Sequence, residues 1–412
     1  MAFIDKDSVS TYYVGSTQLD GGSPVDGETV YEIGSISKVF TAIILAQEVV
    51  DGRMNLEDPA QHYLPSTVTM PSRNGQQITL NDLATHSSGL PRLPNNMTPA
   101  DALNPYADYT VEQLYSFLNS YTLPRDIGAQ YEYSNLAMGL LSHILELHTG
   151  QSYEELVLER IAKPLGMTNT RVVLTDNMKA HLALGHNEQM QVTSNWDLPT
   201  LAGAGAIRST TNDMVKFIMA NMNPDDSSLG KAMALSHKIA YGNPAQNFEM
   251  GLAWHYTNNN SIVWHNGGTG GYRAFTGFNP EAQTAVVLMT NSVQGLDALG
   301  VKLLGQELTL ELPKKRVFPE EVTLSDEVLV EYLGEYALSP DFSIKVFMEN
   351  DQLYGQGTGQ GAFELFASAK DEFFLKAVEA SASFQRNEAG EITGFILHQN
   401  GQDIPATKMK MD

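Results

Sequence analysis

The sequence has 412 residues, of which 42% are hydrophobic and 18% charged, and its formal net charge is −23. These proportions are those of an ordinary globular protein, long enough for two or three domains. The negative charge argues against nucleic acid or an anionic membrane as a partner, because both need a basic surface. The chain has no cysteine, which excludes disulfides, thiolate catalysis and cysteine-bound metals.

The sequence pattern gives no indication of a membrane-spanning helix or of a signal peptide. No apolar stretch approaches the roughly 18–20 residues that a membrane-spanning helix needs. The first residues, Met1 to Asp5, lack the basic and apolar regions of a secretory signal peptide. The sequence therefore predicts no membrane span and no signal peptide, and it leaves the compartment open.

The first 310 residues are predicted to mix helices with strands. A hairpin opens the chain, because apolar and polar residues alternate weakly around Asp5-Lys6-Asp7. Capping residues, glycine stops and helical spacing predict helices in this order: Ser35 to near Asp51, Ile78–His86, Asn135–Leu147, from Ser209, and Leu296–Leu310. Strands joined by glycine and Asn-Pro turns precede the last helix: Ser261–His265, Tyr272–Phe278 and Ala285–Thr290.

The rest of the chain has a different pattern. Residues 313–325 contain prolines and charges and are predicted to be a linker. Short strands with turn signals between them follow: Phe342–Met348, Leu353–Gln356, Ala362–Phe366, Glu372–Leu375, Ser381–Gln385, Ile392–Leu397 and Ile404–Lys408. Strands at this spacing predict a small antiparallel barrel or sandwich. We therefore expect one domain over 1–312 and a second over 326–412.

The segment around Ser35 is the first candidate for chemistry. Gly34 breaks a strand-like run, and Ser35 and Lys38 then stand three residues apart before an apolar helix. Residues with this spacing lie on one face of a helix, so the amine of Lys38 can reach the hydroxyl of Ser35. A lysine in apolar surroundings has a lowered pKa and can act as the base that activates a serine nucleophile.

The same pattern has a simpler interpretation, in which Ser35 caps a helix and Lys38 is a solvated first-turn residue. A second S-x-x-K occurs at Ser228-Leu229-Gly230-Lys231, after a polar loop, and is expected to be an ordinary turn. Context separates the two copies, because only the first leads into an apolar helix.

Tyr133-Ser134-Asn135 is the second candidate, since it opens another apolar helix. The phenol of Tyr133 can share a proton with Lys38, and the amide of Asn135 can orient the lysine and a substrate carbonyl. The Y-x-N pattern also occurs at Tyr241 and Tyr256, so the pattern alone does not establish a role.

The third candidate is the glycine-rich run from Trp264 to Tyr272, which includes His265, Gly267 and Gly268. Its glycines allow close approach of the backbone, and a strand edge here can offer an N–H group to an oxyanion. A phosphate loop is disfavoured because the run lacks Walker and Rossmann spacing, and a plain glycine-rich hairpin is the simpler alternative. The ten histidines form no metal-binding pattern, so we predict no metal site and no cofactor.

With these three motifs in order, the chain resembles the superfamily of class C β-lactamases and penicillin-binding proteins. This group of serine hydrolases includes D-amino-acid peptidases and family VIII carboxylesterases. The likeness covers about residues 1–310 and includes these framework segments: Thr85–Pro91, Lys163–Thr168, Gly203–Thr210, Gly270–Tyr272 and Asn279–Glu281. The tail from about Asp326 is similar to the lipocalin-like barrel appended to some members.

The resemblance implies an α+β fold, in which an antiparallel sheet flanked by helices meets a helical region, plus a C-terminal antiparallel β-barrel. It implies that Ser35 is acylated and that Lys38 and Tyr133 act as the base pair, with Tyr133 returning a proton to the leaving group. Asn135 would bind the substrate, and the N–H groups of Ser35 and Gly268 would form the oxyanion hole. An acyl-enzyme released by water follows from this arrangement.

Two departures from the family pattern matter. His265 stands where many β-lactamases have the lysine of K-T-G that helps hold the drug's carboxylate, and with Gly267 and Gly268 it is expected to bind substrate. Histidine is a weaker, pH-dependent substitute for that lysine, which favours esters or D-amino-acid peptides over β-lactams. The family usually has a helix before the first strand, whereas this sequence begins in that strand.

Several alternatives remain open at the level of sequence. The protein could instead be a penicillin- or peptidoglycan-binding protein with little turnover, or an acyltransferase. The expected partner is a small molecule or peptide, and a homo-oligomer is left open. The resemblance implies a periplasmic or exported protein if the start has been trimmed, and a cytoplasmic one otherwise.

Overall fold

The computed structural model describes residues 1–19, 21–243, 248–257, 259–305, 318–339, 342–349, 352–358, 362–376, 380–399 and 402–409. The chain forms two compact units, Met1–Leu310 and Glu311–Asp412. The start of the predicted linker and the end of the predicted helix Leu296–Leu310 lie outside the described residues. The boundaries at 312 and 326 stay a prediction.

The first unit contains most of the helices. They are α1 Ser37–Val50, α2 Leu80–Ala84, α3 Val111–Ser120, α4 Asn135–Thr149, α5 Tyr153–Val157, α6 Lys163–Leu165, α7 Asp176–Ala180, α8 Thr211–Met222, α9 Ser228–Ser236 and α10 Asp297–Leu304. Short 3-10 turns cover Gly34–Ile36, Ala60–Tyr63 and Ala202–Ala204, and a π turn covers Leu158–Ala162. Side-chain caps set several helix starts. At Thr79 the side-chain hydroxyl accepts the backbone N–H of Asp82, and the Asp82 carboxylate accepts the backbone N–H of Thr79.

Its strands form one large sheet and two small ribbons. They are β1 Ala2–Asp5, β2 Ser8–Thr11, β3 Val30–Glu32, β4 Ser72–Arg73, β5 Gln76–Gln77, β6 Arg208–Thr210, β7 Tyr241–Asn243, β8 Phe248–Met250, β9 His255–Thr257, β10 Ile262–Gly268, β11 Arg273–Asn279 and β12 Thr284–Thr290. The described part of the large sheet is antiparallel, in the order β2-β1-β12-β11-β10-β9-β8-β7. β3 pairs with β6, and β4 pairs with β5.

Helices cover both faces of the large sheet, because successive side chains of a strand point to opposite faces. On β12, Val286 and Leu288 pack with Leu304 of α10 on one face. Ala285 and Val287 belong to the main core on the other face, which contains α1 and α8. The sheet is therefore the middle layer between two layers of helices. The C-terminal end of β10 lies next to the turn that carries Ser35.

The second unit is a closed antiparallel barrel preceded by α11 Asp326–Leu329 and a 3-10 turn over Val330–Tyr332. Its described strands are β13 Gly334–Ser339, β14 Phe342–Glu349, β15 Gln352–Gly357, β16 Ala362–Ala369, β17 Glu372–Leu375, β18 Ala380–Arg386, β19 Ile392–Gln399 and β20 Gln402–Lys408. Each pairs with the next, and β13 pairs with β20 to close the barrel. The predicted α+β fold with a C-terminal barrel is confirmed.

The structure adds strands that were not predicted and corrects one expectation. Strand β13, which closes the barrel, was not predicted, and neither were the short strands β7 to β9. The second S-x-x-K is not an ordinary turn, because Ser228 begins α9 and the Ser227 hydroxyl caps that helix by accepting the Gly230 N–H. Ser228 and Lys231 are both exposed there.

Candidate active site

Ser35 lies in a tight turn between strand β3 and helix α1. The turn needs Gly34, whose φ of +52° is in the left-handed region that favours glycine. Ser35 is half-buried and faces a cleft, whereas Lys38 in the first turn of α1 is completely buried. The structure therefore brings together the two residues of the first motif, with 3.0 Å between Lys38 Nζ and Ser35 Oγ.

Lys38 Nζ has two further oxygen partners. It donates to Asn135 Oδ1 at 2.8 Å and to the carbonyl oxygen of Ala204 at 2.7 Å. Ala204 is brought close because the neighbouring Gly203 packs tightly against α1 and α4, and its carbonyl oxygen accepts the Thr41 hydroxyl at 3.0 Å. Burial, and secondarily the positive charge of Arg92, holds the pKa of Lys38 well below its usual value.

Tyr133 and Asn135 reach the same place from the start of α4. Lys38 Nζ lies 4.8 Å from the centre of the Tyr133 ring. Burial raises the pKa of Tyr133 to about 12, against the smaller opposing effects of a hydrogen bond with Ser35 and the charge of Arg92. The Asn135 amide is engaged on both sides, because its Nδ2 donates to the Tyr106 hydroxyl at 3.0 Å.

His86 holds the segment that carries Tyr133. Its Nδ1 accepts the backbone N–H of Ser134 at 3.1 Å, and its carbonyl oxygen accepts the backbone N–H of Glu132 at 2.8 Å. The ring centres of His86 and Tyr133 are 4.6 Å apart. The sequence placed His86 in the predicted helix Ile78–His86 and in the framework segment Thr85–Pro91, but gave it no role in the site. Its contacts are 46 to 48 residues away in the chain, and the local pattern does not reveal them.

The glycine run approaches the Ser35 turn as its composition suggested. A Cβ on Gly267 would lie 1.9 Å from the carbonyl oxygen of Ile33, and one on Gly34 would lie 2.7 Å from the backbone nitrogen of Gly268. Both are closer than a Cβ can approach, so these positions need glycine. The end of β10 and the Ser35 turn are thus in direct backbone contact.

His265 is fully buried and is not among the described residues that line the cleft, although its neighbour Asn266 is. Its Nδ1 contacts the carbonyl oxygen of Asn266 at 2.5 Å, and its ring centre is 4.9 Å from that of His255. Burial, and then the charges of His255 and Lys38, holds the pKa of His265 well below its usual range, which favours the neutral ring. A neutral buried ring is not a cation for a substrate carboxylate, and its predicted substrate contact stays a prediction.

The cleft at Ser35 has a volume of about 520 Å³. Its described lining includes Tyr133, Gly267 and Gly268, together with two residues that the sequence analysis did not single out, Arg92 and Arg273. Arg273 Nη1 donates to the carbonyl oxygens of Thr269 and Tyr272 at 2.7 and 2.8 Å. The position of Arg273, directly after Gly270-Gly271-Tyr272, was the available sequence signal.

In the described part of the chain, no three His, Asp or Glu side chains cluster closely enough to hold a metal ion, and the predicted absence of a metal stays a prediction. Among the helices of the described residues, none has both the length and the apolar character needed to cross a bilayer.

Two different family models match the two units of the chain. The family model "Beta-lactamase" matches residues 1–307, and a domain of unknown function, DUF3471, matches residues 319–409. Penicillin-binding protein 4* of Bacillus subtilis is 26% identical over 96% of this chain and 91% of its own length. D-alanyl-D-alanine-carboxypeptidase/endopeptidase AmpH of Escherichia coli is 29% identical over 64% of this chain and 72% of its own length.

Solved structures give the same result. A β-lactamase/D-alanine carboxypeptidase from Yersinia pestis, complexed with citrate, superposes with a TM-score of 0.66 at 26% identity. The match covers 74% of this chain and 92% of that one. A Pseudomonas syringae protein of the same description, 21% identical with a TM-score of 0.64, supports the fold. The chain belongs to the β-lactamase family of serine hydrolases, which includes penicillin-binding proteins and D-alanine carboxypeptidases.

Proposed function

We propose that the protein hydrolyses the carboxyl-terminal bond of D-amino-acid peptides through an acyl-enzyme on Ser35, with esters as the competing substrate class and β-lactams as poor substrates. The observation that carries this proposal is the set of three oxygen atoms around Lys38 Nζ. The three oxygen atoms determine whether the Lys38 amine can act in its neutral form.

A neutral amine has two N–H groups and one lone pair. The Ala204 carbonyl oxygen and Asn135 Oδ1 can only accept, so they take the two N–H groups. The lone pair is then left for the hydroxyl proton of Ser35 at 3.0 Å. The lowered pKa of Lys38 favours this neutral form, and Lys38 is therefore proposed as the base that activates Ser35.

Tyr133 is proposed as the proton donor to the leaving group. Because its pKa is raised to about 12, the phenol keeps its proton at neutral pH, which disfavours the phenolate as the first base. Its ring lies beside both Lys38 and the cleft. A proton taken from Ser35 by Lys38 can pass through the phenol to the departing amine.

The oxyanion is proposed to be held by the backbone N–H groups of Ser35 and Gly268. The close approach of the Ser35 turn to Gly267 and Gly268 supports this arrangement, since it brings two backbone segments to one side of the nucleophile. Asn135 is assigned to orient Lys38, and binding of substrate by its amide would require exchange with Tyr106.

Positive charge in the cleft supports a substrate that ends in a carboxylate. Arg92 and Arg273 both line it, and Asp297 is the acidic residue among the described lining residues. The Asp297 carboxylate is itself engaged by Asn266 Nδ2 at 2.6 Å. The name of the Escherichia coli relative, a D-alanyl-D-alanine-carboxypeptidase/endopeptidase, agrees with this substrate class.

The test compares kcat/KM for diacetyl-L-Lys-D-Ala-D-Ala, its carboxyl-terminal amide, p-nitrophenyl butyrate and nitrocefin. We expect the free peptide to be the best substrate and its amide to be about tenfold slower, as for the loss of a charged contact. Faster turnover of nitrocefin or of the ester would overturn the substrate assignment. A stable adduct with no turnover would instead support a penicillin-binding protein without hydrolase activity.

A further inference from the structure

The interior of the C-terminal barrel is filled at one end. An interlocking cluster of rings occupies that end, with centroid separations from 4.8 to 5.7 Å, and consists of Tyr332, Tyr336, Phe373, Phe384 and Phe395. The Tyr332 hydroxyl donates to Asp371 at 2.9 Å, and Arg386 binds the same carboxylate through two nitrogens. This end is closed by a well-packed, hydrogen-bonded plug.

The other end contains a cavity of about 240 Å³. Its lining comes from strands β14 to β19, whose inward-facing side chains alternate along each strand with outward-facing ones. The described lining side chains are aromatic, aliphatic or glycine, with Gln399 as the single polar one. The cavity therefore offers an apolar surface and one amide.

Small residues create this space. A Cβ placed on Gly355 would meet Leu365 and Ile344 at 3.6 and 3.7 Å, which is ordinary van der Waals contact. Neither its surroundings nor a left-handed φ requires glycine there, so its effect is to leave volume inside the barrel. Ala380 and Ala382 leave further space from a strand that does not neighbour that of Gly355.

Solvent reaches the cavity. Ile344, Phe363 and Leu397 line it and yet are only partly buried, unlike the plug residues Tyr332 and Tyr336, which are completely buried. Apolar side chains that face inward and remain partly exposed are unfavourable in an empty barrel, because they lose both dispersion contacts and the gain from burial. A ligand that covers them would restore these contributions.

We propose that the barrel binds a small uncharged apolar molecule in this cavity, a property separate from the proposed hydrolase function. The volume exceeds the roughly 150 Å³ of an apolar cavity that accepts benzene, so the expected ligand has about the size of two fused rings or a medium-length acyl chain. The Gln399 amide can form a hydrogen bond with one polar group of the ligand. An anionic headgroup has no cationic partner among the described lining residues.

The proposal is tested by titrating the full-length protein with the neutral fluorophore N-phenyl-1-naphthylamine. We expect saturable binding to the wild type, and about a tenfold or greater loss of affinity in Ala382→Leu and Gly355→Val, because both substitutions fill the cavity. The matched control is Ser381→Leu, since Ser381 points out of the barrel on the same strand as Ala382. We expect this control to bind like the wild type.

Circular dichroism and thermal unfolding verify that each variant is folded. Displacement by decanol but not by monomeric dihexanoylphosphatidylcholine would identify a free apolar molecule as the ligand class, and displacement by both would identify an acyl chain. The proposal is overturned if the wild type shows no saturable binding. It is equally overturned if folded Ala382→Leu and Gly355→Val proteins bind the probe as well as the wild type does.

Discussion

His86 Nδ1 accepts the backbone N–H of Ser134 at 3.1 Å, while the carbonyl oxygen of His86 accepts the N–H of Glu132 at 2.8 Å. These two hydrogen bonds hold the chain on both sides of Tyr133, and the imidazole also packs against the phenol ring. His86 has a φ of +57°, a conformation that Asn and His adopt more readily than most residues. It is positioned to fix the location of Tyr133.

The first prediction separates the acceptor of His86 from its ring. Asparagine can present Oδ1 where Nδ1 lies and tolerates positive φ, so His86→Asn should keep kcat within about threefold of the wild type. His86→Phe keeps a ring but no acceptor, and kcat should fall about 10- to 100-fold with a smaller change in KM. Equal kinetics for the two folded variants would contradict this assignment.

The second prediction concerns the two S-x-x-K copies. Ser35→Ala should abolish turnover, because among the described residues the Ser35 hydroxyl is the one bonded to Lys38 Nζ. Ser228→Ala removes an exposed hydroxyl that donates to Asp51 at 2.9 Å, so turnover should be unchanged. Hydrolysis of p-nitrophenyl butyrate by the two purified variants measures both effects, and loss of activity in Ser228→Ala alone would mean that the wrong serine was chosen.

The third prediction is a pH dependence. Lys38 acts in its neutral form, so kcat/KM should rise with pH as Lys38 loses its proton, and burial places this rise well below the usual pKa of lysine. The positive charge of Arg92 also lowers the pKa of Lys38, so Arg92→Gln should move the acidic limb to higher pH. Tyr133 should keep its proton up to about pH 12.

The pH profiles of kcat/KM for the wild type and Arg92→Gln measure the direction in which the acidic limb moves. Lys179→Gln is the charge-matched control, because Lys179 is exposed and pairs with Asp176 on α7. A shift of the limb to lower pH in Arg92→Gln, or the same shift in Lys179→Gln, would contradict the electrostatic explanation.

The fourth prediction uses two adjacent glycines of β10. A Cβ on Gly267 meets the Ile33 carbonyl oxygen, which is backbone and cannot easily move, whereas one on Gly268 meets the flexible Arg273 side chain at 3.2 Å. Gly267→Ala should therefore lower the free energy of unfolding by about 1–3 kcal/mol and reduce activity. Gly268→Ala should cost less in thermal or urea unfolding. The opposite order of stability would refute the inferred contact.

The fifth prediction tests the charged wall of the cleft. Arg273→Gln should reduce kcat/KM for the free D-Ala-D-Ala peptide about tenfold while leaving its carboxyl-terminal amide nearly unchanged. Assays of both peptides with the same enzyme preparation give this ratio directly. If the variant loses activity equally on both peptides, Arg273 supports the structure of the β10–β11 turn and does not select the carboxylate.

Local sequence signals predicted the parts of the site that lie within one turn or one helix start. Gly34 and the spacing of Ser35 and Lys38 placed a serine and an amine together, and Ser134 was consistent with a helix start before Asn135. The antiparallel strands β10 to β12 were also predictable, because their apolar runs end at clear turn signals. These features depend on neighbours in the chain.

Contacts between distant segments could not be predicted in the same way. The partner Ala204 is 166 residues from Lys38, and the clamp between His86 and Ser134 spans 48 residues. The burial of His265 depends on β9, a strand too short to show a clear alternation. Strand β13 was not predicted, and its pairing with β20 joins the two ends of the barrel sequence, a contact that a local pattern does not show.

The most direct test of the central claim is rapid-quench mass spectrometry of the intact protein during turnover of p-nitrophenyl butyrate. We predict a butyryl adduct that forms and decays at rates compatible with turnover, maps to Ser35 by peptide analysis and is absent from Ser35→Ala. Turnover by the wild type without any adduct, or an adduct located on another residue, would contradict an acyl-Ser35 mechanism.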